Sequence, residues 1–320
     1  MIFIHQDREF QQLVRIVARS TGIAAALIEK DYWVTHTLWA IHRTGLDIWF
    51  KGGTSLSKGF GLVRRFSEDL DLMVERGKVT SLPVVTSWTS ANKGPAAKRR
   101  AFYDALAAAL IVPDVTVEQD RTRFDKQARG ADYLARYPGA LFTEFGPTMS
   151  PFVRLEIGRA RVVPHVEKPL GSFVHAHLEQ QDLLGDFEDN RPAGVRCVHP
   201  MVTLLEKLDA MSRRYGRDDL EPGSIVRHYE DAAQIIRAED RLPAMEWTVL
   251  GLAHDMLAAK GIVALPSPDE PALVLAESDK RVAVENAYAR IAPMFWGPRI
   301  PLDEACDTIR AWIGDLRRKG

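Results

Sequence analysis

Residues 1–45 repeat hydrophobic side chains at helical spacing. Phe10, Val14 and Val17 recur every three or four positions, and Leu27 and Ile28 continue this period further along. A period of this kind places apolar side chains on one face of a helix. The pattern predicts two or three amphipathic helices at the start of the chain.

A short apolar run and a glycine pair follow these helices. Residues 46–50 (LDIWF) have the length and composition of a buried strand, and Gly52-Gly53 interrupts it. Thr54 or Ser55 can then cap a helix that runs towards Val63. The next apolar run, at residues 70–74, predicts a second strand.

The middle of the chain alternates between loop, helix and strand signals. Pro, Gly, Ser and Thr are frequent from residue 80 to 95, which is typical of a surface loop, and residues 96–112 are rich in helix formers. A strand is expected at 115–118, and residues 152–157 alternate as a half-buried strand does. Segments 161–166 and 172–178 are expected to extend the same sheet.

The C-terminal part reads as helical. Pro200 suits the first turn of a helix, and the apolar positions after it recur at helical spacing. We place a domain boundary there, with N-terminal helices and the sheet in residues 1–199 and a helical lobe in residues 200–320. The cleft is expected between these two parts.

Composition limits the class of protein. The chain has 320 residues, of which 46% are hydrophobic and 27% charged, with a net charge of −1, so any nucleic-acid surface has to be local. The two cysteines, Cys197 and Cys306, support neither a disulfide framework nor a zinc site. We expect a cytoplasmic protein with no membrane segment and no secretory signal.

Two short motifs could together bind a nucleotide. The glycines of Gly52-Gly53-Thr54-Ser55 allow backbone N–H groups to approach phosphate, although a plain strand-to-helix turn has the same sequence features. In a strand, Asp69 and Asp71 point to one face and can hold Mg²⁺. Two adjacent carboxylates among apolar residues need a cation to neutralise them, whereas a solvent-facing strand is the simpler reading of Asp-Leu-Asp alone.

These motifs in combination resemble the nucleotidyltransferase-like toxins of the AbiEii type, from bacterial type IV toxin–antitoxin and abortive-infection systems. The resemblance lies in residues 52–58 (GGTSLSK) and 65–72 (RFSEDLDL), preceded by residues 29–33 (EKDYW). It implies that Asp69 and Asp71 are catalytic metal ligands. It also implies that a nucleotide contacts the residues of the first motif, namely Gly52, Gly53, Thr54, Ser55, Lys58, Arg65 and Ser67.

Two later segments resemble the family's second and third motifs. Residues 206–210 (EKLDA) imply that Lys207 contacts the nucleotide phosphates, and residues 228–232 (HYEDA) imply that Asp231 is needed for activity. The alternative for Lys207 is a solvated position on a helix, and for Asp231 an ion pair with Arg227. Arg65 and Ser67 could grip phosphate or hold Asp69 in place.

The sequence contains further candidate metal ligands and a candidate RNA-binding cluster. In the wider superfamily a third carboxylate often completes the metal site, and Glu156 lies in a suitable strand. His175 and His177 would share a strand face and could chelate a metal, with a solvated edge strand as the alternative. The cluster at 93–100 could hold RNA phosphates or form a charged helix face.

The resulting prediction is an α/β protein with a mixed sheet of nucleotidyltransferase type, flanked by helices and followed by a mostly helical C-terminal lobe. With Mg²⁺ it would transfer a nucleoside monophosphate from an NTP to an acceptor hydroxyl. The resemblance implies tRNA as acceptor, a block of translation and a cognate antitoxin as partner. Nucleotidylation of a protein hydroxyl, or a non-catalytic binding module in a phage-defence complex, are the alternatives.

Overall fold

A computed structural model describes residues 1–67, 69–124, 127–139, 141 and 150–318. Glu68 of the second half of the motif lies outside the described residues. Within those ranges the chain forms a seven-stranded mixed sheet in the order β3-β4-β5-β2-β1-β7-β6. The strands are β1 Asp47–Lys51, β2 Asp69–Glu75, β3 Thr116–Asp120, β4 Gly130–Arg136, β5 Phe152–Gly158, β6 His165–Lys168 and β7 Val195–Val198.

Helices precede the sheet, connect its strands and make up most of the C-terminal part. This arrangement is the predicted mixed α/β fold with a helical C-terminus. The helices are α1 Phe10–Thr21, α2 Ala25–His42, α3 Gly52–Lys58, α4 Lys93–Ala109, α5 Phe173–Gln180, α6 Pro200–Tyr215, α7 Val226–Arg237, α8 Val249–Ala258, α9 Pro271–Val274, α10 Ser278–Arg290 and α11 Leu302–Arg318.

The chain divides into two compact units. The sheet unit contains Met1–Gly59, Ser67–Arg159 and Glu167–Cys197. The helical unit contains Val198–Gly320 together with two earlier segments, Phe60–Phe66 and Ala160–Val166. Each unit thus draws on segments that are distant in sequence.

Strand β2 is central in the sheet and follows the predicted alternation. Leu70 and Leu72 are fully buried, whereas Asp69 and Asp71 are partly exposed on the opposite face. The strand pairs antiparallel with β1 and parallel with β5. Apolar side chains on one face therefore fix the face on which the carboxylates lie.

The early helices are confirmed, but α2 is not amphipathic. Nearly its whole length is buried, including the charged side chains of Glu29, Lys30 and Asp31. A helix buried on all sides needs partners for such groups. Glu29 accepts hydrogen bonds from the Gln11 side chain (2.7 Å) and the Leu141 backbone (2.9 Å), and Lys30 donates to the Ser150 carbonyl (3.1 Å).

The strand expected at 172–178 is wrong, because this segment forms helix α5. The Ser172 hydroxyl accepts a hydrogen bond from the His175 backbone N–H (3.2 Å), which caps the helix. His175 is buried, and its Nε2 lies 2.7 Å from the Asn190 side-chain oxygen. The shared strand face proposed for His175 and His177 does not exist.

Both cysteines are buried and free. Burial raises the pKa of the Cys197 thiol to about 11 and that of Cys306 to about 12. The thiolate form is disfavoured in an apolar environment, so neither side chain is a reactive nucleophile at neutral pH. Within the described ranges, no helix is both long and apolar enough to cross a bilayer.

Candidate active site

The glycine bend and strand β2 meet at Gly52. Its φ angle is +74°, and a β-carbon added there would lie 1.8 Å from Oδ2 of Asp71. Glycine is needed at this position both for the left-handed backbone and for the close approach of the carboxylate. The two halves of the first motif are therefore in direct contact.

Helix α3 is fixed against β2 by a side-chain hydrogen bond. The Thr54 hydroxyl donates to the Asp69 carbonyl (2.6 Å), and Thr54 is buried along with Gly53 and Ser55. Because a helix begins at this bend, its first backbone N–H groups have no partner within the helix. Ser67, two residues before β2, is also buried.

A row of charged side chains crosses the sheet beside this bend. Asp71 on β2 is in register with Glu156 on β5, and Glu156 is in register with Asp132 on β4. The row continues to Asp120 on β3 and, on the other side of Asp71, to Lys51 on β1. Residues in register share a face of the sheet, so Glu156 lies on the same face as Asp69 and Asp71.

The neighbouring carboxylates affect the ionisation of Glu156. Burial raises the pKa of Glu156 to about 7, and the negative charges of Asp69, Asp71 and Asp132 act in the same direction. A divalent cation with oxygen ligands would relieve this repulsion. The donor set therefore fits Mg²⁺ chemically.

Arginines lie among these carboxylates. Arg154 contacts Asp120 (2.9 Å) and Asp132 (3.3 Å) through Nη1, and its Nε lies 3.9 Å from Asp69 Oδ1. Arg123 contacts Asp132 and Glu156. In this arrangement no group of three or more Asp, Glu, His or Cys side chains in the described part of the chain encloses a metal position.

A pocket of about 310 Å³ opens on this face of the sheet unit. Its acidic lining residues come from three adjacent strands. Its basic lining residues come from β1, from the turn after β3 and from the position directly after β5. The charged lining residues are Asp71, Asp132, Glu156, Lys51, Arg123 and Arg159.

Lys58, predicted to contact the nucleotide, has a buried partner in the sheet unit. Its Nζ forms an ion pair with Oδ1 of Asp31, and both side chains are only 8% exposed. The other carboxylate oxygen of Asp31 accepts a hydrogen bond from the Phe173 N–H (2.9 Å). Asp31 belongs to the EKDYW segment, so this contact joins the lead-in helix to the first motif.

In the helical unit, Arg65, Lys207 and Asp231 come together. Arg65 donates to both carboxylate oxygens of Asp231, at 2.7 and 2.6 Å. Lys207 Nζ lies 2.8 Å from Asp231 Oδ2 and 3.3 Å from His228 Nδ1. Residues from all three motifs of the resemblance thus supply this buried cluster.

The family model for "Nucleotidyl transferase AbiEii toxin, Type IV TA system" matches residues 39–308. This chain belongs to that family. It is therefore a nucleotidyltransferase of the AbiEii toxin family, as its motifs predict. Among curated proteins, no match was found for the AbiEii chain.

A weak structural likeness was found to terminal uridylyl transferase 4 from Trypanosoma brucei with bound UPU. The two chains share 14% sequence identity over 96% of each, with a TM-score of 0.28. A score this low adds nothing to the assignment, which depends on the family match.

The buried charges in the helical unit of this AbiEii protein shift the pKa values of Asp231 and His228. Burial alone would raise the pKa of Asp231, but the charges of Arg65 and Lys207 and their hydrogen bonds hold it well below its usual range. Burial and the nearby Lys207 ammonium lower the pKa of His228, which favours the neutral imidazole. Asp231 is fully buried and therefore orients the two cations without reaching solvent itself.

Several charged side chains of the AbiEii site belong to none of the sequence motifs. Lys51, Arg123, Asp132, Arg154 and Arg159 lie on the same face as the carboxylates or line the pocket. The only sequence signal was position: Arg154 precedes Glu156 by one alternation, and Lys51 directly precedes the glycines. Conversely, the basic residue Arg99 of the 93–100 cluster is buried and donates to the Ser87, Ser90 and Gln127 carbonyls.

Proposed function

We propose that this protein transfers a nucleoside monophosphate from an NTP to a hydroxyl group of tRNA, with Mg²⁺ as cofactor. The observation that carries the proposal is the contact between the Gly52 bend and Asp71, with Glu156 in register beside it. The backbone bend would then bind the phosphates of one triphosphate, and the carboxylates of the row beside it (the carboxylate row) would bind its metal ion.

The proposed metal ligands are Asp69, Asp71 and Glu156. Bound there, Mg²⁺ would polarise the phosphoryl oxygens of the NTP and offset the charge of the carboxylates. Arg154 is held by Asp120 and Asp132, and its guanidinium lies close to Asp69. This chain's own contribution is to hold the carboxylates on one face of a rigid sheet.

For the nucleotide, we propose contacts from the backbone N–H groups of Gly52, Gly53, Thr54 and Ser55, with Ser67 beside them. The acceptor hydroxyl releases its proton to solvent, its oxygen forms a bond to the α-phosphorus, and the bond from that phosphorus to pyrophosphate breaks. Lys207 is proposed to contact the phosphates, as the family resemblance implies, with Asp231 as the residue that positions its ammonium. Lys58 and Arg65 are proposed to support the site through their buried carboxylate partners.

The proposals of tRNA as acceptor, a translation block and a neutralising antitoxin follow from the toxin family. The antitoxin is supported by the description of the family as part of a type IV toxin–antitoxin system, whereas tRNA and the translation block are what the family resemblance implies. The carboxylate row does not favour an RNA hydroxyl over a protein hydroxyl, so the experiment has to separate the two.

The test uses each α-³²P-labelled NTP with Mg²⁺, purified protein and total tRNA. Label is expected in the RNA fraction, and Asp71→Asn should reduce transfer by about a thousandfold or more, because it removes a proposed ligand of the metal that stabilises the reacting phosphate. Asp303→Asn, an exposed carboxylate in the helical unit, is the matched control and should leave transfer unchanged. Label on protein in place of RNA would contradict the tRNA proposal, and full transfer by Asp71→Asn would contradict the site.

A further inference from the structure

Two arginines, Arg123 and Arg154, contact the carboxylate row, and they differ in how firmly they are held. Arg154 is 16% exposed and has close partners on both sides, the nearer at 2.9 Å. Arg123 is 55% exposed, and its Nη1 lies 3.2 Å from Asp132 and 3.4 Å from Glu156. Charge-assisted hydrogen bonds are usually shorter than this, so the contacts of Arg123 are loose.

Arg123 is also attached to the fold differently from its partners. It lies in the single turn Arg121–Arg123 that follows β3, and not within a strand. Its side chain enters the pocket from this turn, whereas Asp132 and Glu156 are fixed on adjacent strands. A long side chain on a turn can change partners without moving the sheet.

One partner of Arg123, Glu156, is also a proposed metal ligand. A guanidinium and a divalent cation compete for the same oxygens of Glu156, and both balance the same negative charge. The pocket holds Lys51 and Arg159 in addition, so it is suited to an anionic ligand once the carboxylates have a cation of their own.

We infer that Arg123 exchanges partners during binding. It balances Asp132 and Glu156 in the protein without substrate, and donates to the phosphate oxygens of the NTP once Mg²⁺ binds Glu156. This inference rests on the proposed function and assigns the polyphosphate of the NTP to the pocket lined by Lys51, Arg123 and Arg159.

Calorimetry on Arg123→Gln separates this role from a structural one. The probes are Mg²⁺ alone and Mg²⁺ with the α,β-methylene analogues of the four ribonucleoside triphosphates, which bind without turnover. Mg²⁺ alone should bind about threefold more tightly, because an exposed competing ion pair is removed. The best-binding analogue should bind about tenfold more weakly, because one charge-assisted contact to phosphate is lost.

Two variants serve as controls. Arg136→Gln changes an arginine of β4 that is paired with Glu118 at 2.6 Å and does not line the pocket, so both affinities should stay at the wild-type value. Arg123→Lys keeps the charge without the planar fork, and should weaken analogue binding less than Arg123→Gln does. Thermal unfolding of each variant checks that the fold is intact.

The opposite signs for the two probes are the decisive result. If Arg123→Gln leaves both affinities unchanged, or weakens both, the exchange does not occur. If the wild-type protein itself binds neither Mg²⁺ nor any analogue, the proposed function fails, and this inference fails with it.

Discussion

Arg65 grips both carboxylate oxygens of Asp231, although 166 positions separate the two residues in sequence. Both side chains are buried, and Lys207 shares the same carboxylate. A fully buried acid between two cations stabilises the fold, because a buried charge is costly unless an opposite charge lies beside it.

Asp231→Asn should therefore destabilise the fold. The change leaves Arg65 and Lys207 without their buried counter-charge, and the free energy of unfolding should fall by about 3 kcal/mol or more. Urea denaturation followed by circular dichroism measures it. Glu304→Gln, which removes an exposed partner of Arg237, is the control and should have little effect. An Asn variant that is inactive but as stable as wild type would point to a direct chemical role for Asp231.

The contact between Gly52 and Asp71 predicts that Gly52→Ala damages catalysis far more than stability. The left-handed φ costs about 1–2 kcal/mol for alanine, and the new β-carbon has to displace the Asp71 carboxylate. Displacement of this order should lower kcat/KM by about a hundredfold. Steady-state transfer assays with unfolding curves measure both effects.

Gly61→Ala is the matched control for that experiment. Gly61 has a φ of +62°, and a β-carbon added there would meet no atom within 4 Å, so the strain is similar but no carboxylate is displaced. The two variants should lose similar stability, while only the one at position 52 loses catalysis. Equal losses of activity would show that backbone strain, and not the carboxylate, is responsible.

A double-mutant cycle tests the role of Lys58. Because Lys58 and Asp31 form a buried ion pair, Lys58→Gln and Asp31→Asn should each cost about 3 kcal/mol of unfolding free energy. The double variant should cost less than the sum, with a coupling of about 1–3 kcal/mol. Additive losses, together with weaker NTP binding in Lys58→Gln, would favour direct contact of Lys58 with the nucleotide.

The buried histidines of the sheet unit predict a pH-dependent stability. Asn190 bridges His36 (2.8 Å) and His175 (2.7 Å), and burial lowers the pKa of each imidazole to about 4. The unfolded chain, with a histidine pKa near 6.5, takes up protons first as the pH falls. The stabilisation is complete above about pH 6.5 and declines towards pH 4, by about 2 kcal/mol per histidine at pH 5.

The raised pKa of Glu156 makes the fold more stable as the pH falls from 7 to 5, which is opposite to the effect of the histidines. The test therefore compares the pH dependence of histidine variants with that of wild type. From pH 7 to pH 5, His175→Gln should lose about 2 kcal/mol less than wild type. His254→Gln, at an exposed position, should keep the wild-type dependence. Identical pH dependence in His175→Gln and wild type would mean that His175 is not held neutral in the fold.

Local patterns were sufficient to predict β1, β2 and β5, and the face on which Asp69 and Asp71 lie. In β2 and β5 apolar and polar side chains alternate because one face of each strand is buried, and this alternation can be read within the strand's own sequence. Strands β4 and β7 were missed, since β4 places Leu134 on the same face as Asp132 and β7 has only four residues. Residues 172–178 were misread as a strand because Val174, Ala176 and Leu178 alternate with polar residues, whereas the helix buries Val174, His175 and Leu178.

The partners of the charged side chains could not be predicted. Lys58 and Arg65 lie in the motif predicted to contact the nucleotide, and their carboxylate partners come from a helix before it and a helix far after it. Such pairs depend on the tertiary arrangement and leave no period or spacing in the sequence. Arg123 and Arg154 escaped notice for the same reason, since the carboxylates that they contact lie on other strands.

The buried thiols give this protein a practical property. Since Cys197 and Cys306 are both shielded and resist deprotonation, maleimide or iodoacetamide should leave the native chain unmodified at neutral pH. A single cysteine introduced at an exposed site, such as Val263, would then be the selective attachment point for a fluorophore. Spectroscopic probes can therefore be placed on the unaltered framework without first removing its natural sulfhydryls.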